Sequence, residues 1–166
     1  MHSVVGVEET VDAPSGADER QIVVFRLGAE LYGVEIARVH EIIRMQPVTR
    51  VPRAPAFVEG VTNLRGQVIP VVDLRRRFGL PEVERTRASR IVVVDIGDQV
   101  AGVIVDGVSE VLRVSTASIE PPSPVVQGID SEYLHGIAKL SERLVILLDL
   151  DRVLAREEHR ALEAAA

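Results

Sequence analysis

At 166 residues the chain is long enough to bury a core, and with no cysteine it builds neither disulfides nor thiolate metal or redox sites. A net charge of −6, with no basic stripe interleaved with aromatics, excludes nucleic acid as the expected partner. Hydrophobic residues reach 46% while aromatics reach only 3%, so Val, Ile, Leu and Ala must fill the core, and that composition favours strands.

Residues 1–20 are rich in Glu, Asp, Ala, Ser, Gly and Pro and lack any period that would bury a face; a flexible acidic arm is expected. From there the runs Ile22-Val23-Val24-Phe25, Val68 to Val72, Ile91 to Val94 and Val100 to Val105 are short, β-branched and bounded by Gly, Asp and Pro, which predicts strands. Gly28, Arg65-Gly66, Gly97-Asp98 and Asp106-Gly107 punctuate them where hairpin turns demand positive φ. A short helix or bend is expected near Ile36 and again near Val105. Asp73 and Asp149 are natural N-caps, each opening a helix, the second continuing into a tail over 156–166 that frays into alanines. The longest fully apolar run, Leu144 to Leu148, is far below the roughly 18 residues a membrane helix needs, so no direct membrane insertion is expected and a cytoplasmic setting is.

Laid on itself, the sequence repeats. An offset of 69 positions superposes Ile22–Met45 on Ile91–Val114, with identities at Ile22/Ile91, Val23/Val92, Val24/Val93, Gly28/Gly97, Gly33/Gly102, Val39/Val108, Glu41/Glu110 and Arg44/Arg113. An offset of 76 superposes Gly60–Phe78 on Gly136–Leu154, pairing Gly60/Gly136, Leu64/Leu140, Asp73/Asp149, Leu74/Leu150 and Arg76/Arg152. The longer second loop holds Pro121, Pro122 and Pro124, where missing amide hydrogens suit an irregular connection. Units of this size are marginal alone and should pack together, and curling each into a five-stranded barrel would manage its edges. The expected fold is mainly β: two barrel-like lobes from units 22–78 and 91–154, forming a single domain over 21–155, with short helices and a C-terminal helix.

Catalytic chemistry finds little to work with. Neither His40 nor His135 has a partner at metal-ligand spacing, no serine sits in a nucleophile elbow, and no glycine-rich run opens a helix to cradle phosphate. No enzyme, cofactor or metal is expected. The run Arg75-Arg76-Arg77 between Leu74 and Phe78 reads as a solvated helix face. Arg65, beside Gly66 at a hairpin turn, displays a bulky cation, with an ordinary turn residue as the plain alternative. Glu41, among Val39, Ile42 and Ile43, mixes a charge with apolar side chains on one strand; an interface and a solvated edge explain it equally.

The run Glu59 to Arg75, Glu-Gly-Val-Thr-Asn-Leu-Arg-Gly-Gln-Val-Ile-Pro-Val-Val-Asp-Leu-Arg, closely resembles the signature of the bacterial chemotaxis coupling protein family, CheW. Tyr32 to Ile36, Val39 to Ile42, Val103 to Val108 and Glu132 to Gly136 are similar to the family pattern in the same order, so the resemblance spans about Gln21 to Leu154. It implies two SH3-like five-stranded barrels without catalysis or cofactor. It also implies a scaffold linking the cytoplasmic tips of methyl-accepting chemotaxis receptors to the regulatory domain of the histidine kinase CheA. By that resemblance Val39, Glu41, Gly60 and Arg65 are receptor-binding candidates, and Gly102, Val108 and Val111 are kinase-binding candidates. The same scaffold in a non-flagellar chemosensory or motility pathway, or a small-ligand sensor using the cleft between lobes, is the alternative. The acidic arm is the departure from the family core.

Overall fold

The computed structural model describes residues 9–11, 18–121, 134–140 and 142–153. In chain order the strands are β1 (Glu9–Val11), β2 (Glu19–Leu27), β3 (Glu30–Glu35), β4 (Val39–Arg44), β5 (Val58–Leu64) and β6 (Gln67–Asp73). A single turn of α-helix, α1 (Leu74–Arg77), precedes β7 (Arg90–Ile96), β8 (Gln99–Val105), β9 (Gly107–Ser115), β10 (Ile119–Glu120), β11 (Leu134–Lys139) and β12 (Leu144–Leu148). Turns of 3-10 helix lie at Ile36–Arg38 and Thr116–Ser118.

Strand pairing shows that the sequence repeats are not the lobes. One sheet has the order β1-β9-β2-β3-β12-β11-β10 and the other β4-β7-β8-β6-β5. The first hairpin of each repeat has therefore crossed over: β2–β3 sits among the later strands of the second repeat, and β7–β8 among those of the first. The registers obey the internal repeat. Val24 faces Glu110 as Val93 faces Glu41, and both pairs follow a bulge. The parallel pair Leu147 with Gly33 matches Val71 with Gly102.

The exchange explains why these strands read as continuous apolar runs instead of alternating ones: both faces are covered. On β2, Ile22 and Val24 point into one lobe with Leu112, Val114, Val145 and Leu147. Its alternate residues Val23, Phe25 and Leu27 point the other way, into a central layer with Val92, Val94, Ile96, Val103 and Val105. The other lobe has its own interior of Ile69, Val71, Ile91, Val93 and Ile104. Each fully buried aliphatic side chain contributes on the order of 1.5–3 kcal/mol, so the layer between the sheets weighs at least as much as either lobe interior. Phe25, Tyr32 and Phe78 stack through that layer, with ring centroids 6.1 and 5.9 Å apart. Burial there pushes the Tyr32 hydroxyl up to about 12.

Close packing of the exchanged hairpins depends on two twofold-related glycines. A Cβ on Gly33 would stand 2.5 Å from Ile22 Cγ2, and one on Gly102 would stand 2.6 Å from Ile91 Cγ2. No side chain fits either gap.

Several expectations need correction. Among the described residues closed five-stranded barrels do not form, because neither ladder returns on itself. The smaller sheet ends at β4 and β5, and β5 meets only a single bridge from Thr49 to Val61, with both N–O distances 2.8 Å. In the larger sheet β1 lies parallel on the outer edge of β9. The sheets are nonetheless strongly curled, since β9 passes through only Thr116–Ser118 before β10 pairs at the far edge. Near Val105 the expected bend is present at Asp106, where β8 gives way to β9, with no helix there; the second 3-10 turn comes only after β9. No C-terminal helix is seen. Asp149 Oδ1 does accept from the Asp151 amide at 3.0 Å, but the described residues through Val153 form only a turn; 154–166 lie outside the described residues. So does most of the proline loop, while the described part of the arm, Glu9–Val11, is a strand and β2 already begins at Glu19.

Because each sheet needs strands from both repeats, a chain cleaved in the loop between Leu80 and Arg87 is expected to give two fragments that are each unfolded alone and that regain β structure when mixed. Circular dichroism of the separate and combined fragments checks it. Gly102→Val and Gly33→Val are each expected to cost about 1–3 kcal/mol by overpacking, read from urea midpoints.

Candidate interaction surface

Glu41 and Arg65 meet across the seam of the smaller sheet. Glu41 stands just after a bulge on edge strand β4, and Arg65 opens the two-residue turn between β5 and β6. Arg65 and Gly66 both take positive φ, 52° and 86°, the geometry of a type I′ hairpin turn in which a non-glycine residue is strained. The Gly66 amide donates to Asn63 Oδ1 at 2.8 Å, which holds the turn. Arg65 Nη1 donates to Glu41 Oε1 at 3.1 Å and Nη2 donates to Oε2, a bidentate clasp. That hydrogen bond holds the Glu41 carboxyl below its usual range, against the opposing effect of burial. Only 15% of the Glu41 side chain is exposed, against 71% of Arg65. The carboxylate aims the guanidinium, and the guanidinium faces solvent.

The other candidate residues divide by role. Val39 on β4, and Val108 and Val111 on β9, are half-buried and rest against the central layer. The offset of 69 makes Val39 and Val108 twofold equivalents, and it relates Ile42 to Val111. Gly60 displays nothing: its Cβ would lie 2.2 Å from the Thr49 carbonyl oxygen, so it is the residue that lets β5 close on the chain at Thr49. Gly102 is buried beneath Ile91. Val39, Glu41 and Arg65 thus share one edge, while Gly60 and Gly102 act through packing.

A second clasp lay unread in the sequence. Glu110, the equivalent of Glu41, pairs with Arg143 of the β11–β12 hairpin at 2.7 Å. The Glu41/Glu110 identity was the available signal, but Arg143 does not align with Arg65, so the pairing itself was invisible. Two further ion pairs cross between the sheets. Arg75 grips Asp106 with Nε–Oδ1 at 3.1 Å and Nη2–Oδ2 at 2.6 Å, and the same carboxylate accepts the amide of the turn residue Gly28 at 2.7 Å. At the twofold-related place Arg38 grips Asp151, at 2.5 and 3.3 Å, and Asp151 accepts the amide of Gly97 at 3.0 Å. Arg75 aligns with Asp151, so the pair recurs with its charges exchanged.

The expectation of a solvated arginine face is therefore corrected. Arg75 is committed to Asp106, and Arg77 Nε donates to the Val153 carbonyl at 2.7 Å. Arg76 lies among Glu59 at 3.3 Å and Asp73 and Glu82 at 3.6 Å, beside a cavity of about 260 Å³ that Arg85 also lines. Short α1 aims its three arginines at three different acceptors because Asp73 caps it, accepting the Arg75 amide at 2.9 Å. Among the described residues no helix is long and apolar enough to cross a membrane.

A duplicated β frame clasped by ion pairs between its sheets, with the Arg65 guanidinium at a turn held toward solvent by Glu41, defines an interaction scaffold. Residues 21–158 match the CheW-like domain family, and the chain belongs to it. It is 37% identical over 147 residues to the chemotaxis protein CheW of Klebsiella aerogenes, covering 89% of each chain. To the CheW of Bacillus subtilis it is 35% identical over 141 residues, 85% of this chain and 90% of that one. Protein FrzA of Myxococcus xanthus is 34% identical over 152 residues, 90% and 94% of the two chains. Among solved structures, the scaffolding protein TtCheW of Thermoanaerobacter tengcongensis superposes with a TM-score of 0.78 at 43% identity, covering 84% of this chain and 94% of that one. The family is one of non-catalytic chemotaxis coupling scaffolds.

The Asp106 clasp has a pH signature. Burial works against ionisation, but hydrogen bonds from Arg75 and the Gly28 amide outweigh it and hold the carboxyl below its ordinary 3.8. A depressed folded value stabilises the protein above the unfolded value and loses that contribution as pH falls through the folded one. Asp106→Asn is expected to lower stability at neutral pH and to flatten the loss below about pH 4, read from urea midpoints measured across that range.

Proposed function

We propose that this chain couples the cytoplasmic tips of methyl-accepting chemotaxis receptors to the regulatory domain of the histidine kinase CheA, in the cytoplasm at membrane-associated receptor arrays. Membership of the coupling family over residues 21–158 carries this reading. The internal twofold supports it: β4 and β9 are similar but non-identical surfaces on one rigid frame, which suits a protein that must hold two different partners at once. The receptor side is read at Val39, Glu41 and Arg65, with Gly60 shaping β5 behind them. The kinase side is read at Val108 and Val111, with Gly102 fixing the packing of β8. Residues 21–155 act as one unit, with 1–20 as an appended arm, 156–166 as a tail, and each curled sheet as the open form of an SH3-like barrel.

Pull-down with a receptor cytoplasmic fragment and with CheA tests the reading, and capture of neither would sink it. Arg65→Glu sets two carboxylates against each other at an exposed turn, and is expected to abolish receptor-coupled kinase activation while leaving the folded spectrum intact. The exchange Glu41→Arg with Arg65→Glu restores the clasp with reversed polarity. Recovery of activation in that double variant would make Arg65 a positioning group, and continued loss would make it a contact.

A further inference from the structure

The internal twofold relates two apolar strips that end differently. On β4, Val39 and Ile42 lie opposite Val94 and Val92 and rest against the central layer. On β9, Val108 and Val111 lie opposite Phe25 and Val23 and do the same. Each strip reaches an arginine two residues further along the same face of its strand, Arg44 on β4 and Arg113 on β9. Across the ladder the lobes part company. Arg113 faces the neutral Gln21, whereas Arg44 faces a second arginine, Arg90. The offset of 69 makes Gln21 and Arg90 equivalent, so two positive charges stand at the end of the β4 strip where the β9 strip has one.

Like charges directly opposite one another on neighbouring strands repel. Among the described residues neither Arg44 nor Arg90 forms an ion pair that would offset this. Arg44 is exposed. Arg90 is half-buried and donates from Nη1 to the carbonyls of Arg87 and Ser89 at 2.6 and 2.8 Å, contacts that fix its guanidinium without cancelling its charge. Those carbonyls are themselves held. Thr86 to Ser89 is a tight turn in which the Ser89 amide donates to the Thr86 carbonyl at 3.1 Å and Ser89 Oγ accepts the Thr86 amide at 2.9 Å. The turn also displays Arg87, exposed and likewise without an ion pair among the described residues. A chain of net charge −6 thus fixes unbalanced arginines at one end of one apolar strip. The group that relieves such repulsion is an incoming carboxylate, which a guanidinium binds in bidentate fashion.

We propose that Arg44 and Arg90 are the specificity determinant of the β4 strip: they select a partner that covers Val39 and Ile42 with apolar side chains and brings carboxylates to the arginine end, and so tell this strip apart from its equivalent on β9. The proposal rests on the reading that the receptor is the partner at Val39. The test uses the full chain, a receptor cytoplasmic fragment and CheA, with affinities measured by calorimetry at low and moderate salt. The double variant Arg44→Gln, Arg90→Gln gives position 90 the residue of its twofold equivalent. It is expected to bind the receptor fragment about tenfold more weakly, with a shallower salt dependence, and to bind CheA as the unaltered chain does. Arg44→Gln alone is expected to raise the urea midpoint at low salt, a gain that fades as salt is added, which separates lost binding from lost folding. Undiminished receptor binding by the double variant would overturn the proposal alone. Equal weakening toward both partners would too, since the arginines would then supply only a general field. So would a lowered urea midpoint for Arg44→Gln at low salt, because Arg44 would then have its counter-charge within the chain. Capture of neither partner by the unaltered chain would remove the functional reading, and the proposal with it.

Discussion

The layer between the two sheets is the constraint on which the rest depends. It is made by the outward faces of hairpins that have changed places, so Val23, Phe25 and Leu27 from one repeat meet Val92, Val94 and Ile96 from the other. Without that exchange, each strand would have one wet face and would have to alternate polar with apolar residues. With it, the runs Ile22 to Phe25 and Ile91 to Val94 must be apolar throughout, and Gly33 and Gly102 must stay small to let Ile22 and Ile91 close over them.

Once the core has fixed the frame, the charges lock it. Arg75 with Asp106 and Arg38 with Asp151 tie turn glycines to neighbouring elements on opposite sides of the twofold, in reversed polarity. Bidentate contact between a guanidinium and a carboxylate fixes an orientation in both; the half-exposed Arg38–Asp151 pair adds little stability, while the more buried Arg75–Asp106 pair also contributes to it. The same logic governs Glu41 and Arg65. A mobile arginine at a turn tip would lose entropy on meeting a partner, and the carboxylate beneath it removes much of that cost beforehand.

Duplication also frees the two edges to diverge. A duplicated frame begins with two equal surfaces, and among the described residues β9 carries a strand from the chain's own arm while β4 carries none. Difference between otherwise equivalent edges is what lets one small protein address dissimilar partners.

The repeat, the strand runs, the turn glycines and the family signature were legible because they depend on local φ/ψ and on alignment along the chain. Arg65 could be singled out because a cation beside a turn glycine is displayed by local geometry alone. Glu41 as its partner, Glu110 with Arg143, and Arg75 with Asp106 could not, because each joins residues whose distance along the chain says nothing of their distance in space. The arginine run read as solvent-facing for the same reason: only the fold brings Asp106, Glu59 and the Val153 carbonyl to α1. The sequence by itself therefore determined the β class, the duplication and the kinship. Only the tertiary structure decided that the hairpins exchange and that the sheets stay open, since a hairpin can satisfy its own ladder in either lobe and only the burial of its second face selects between them.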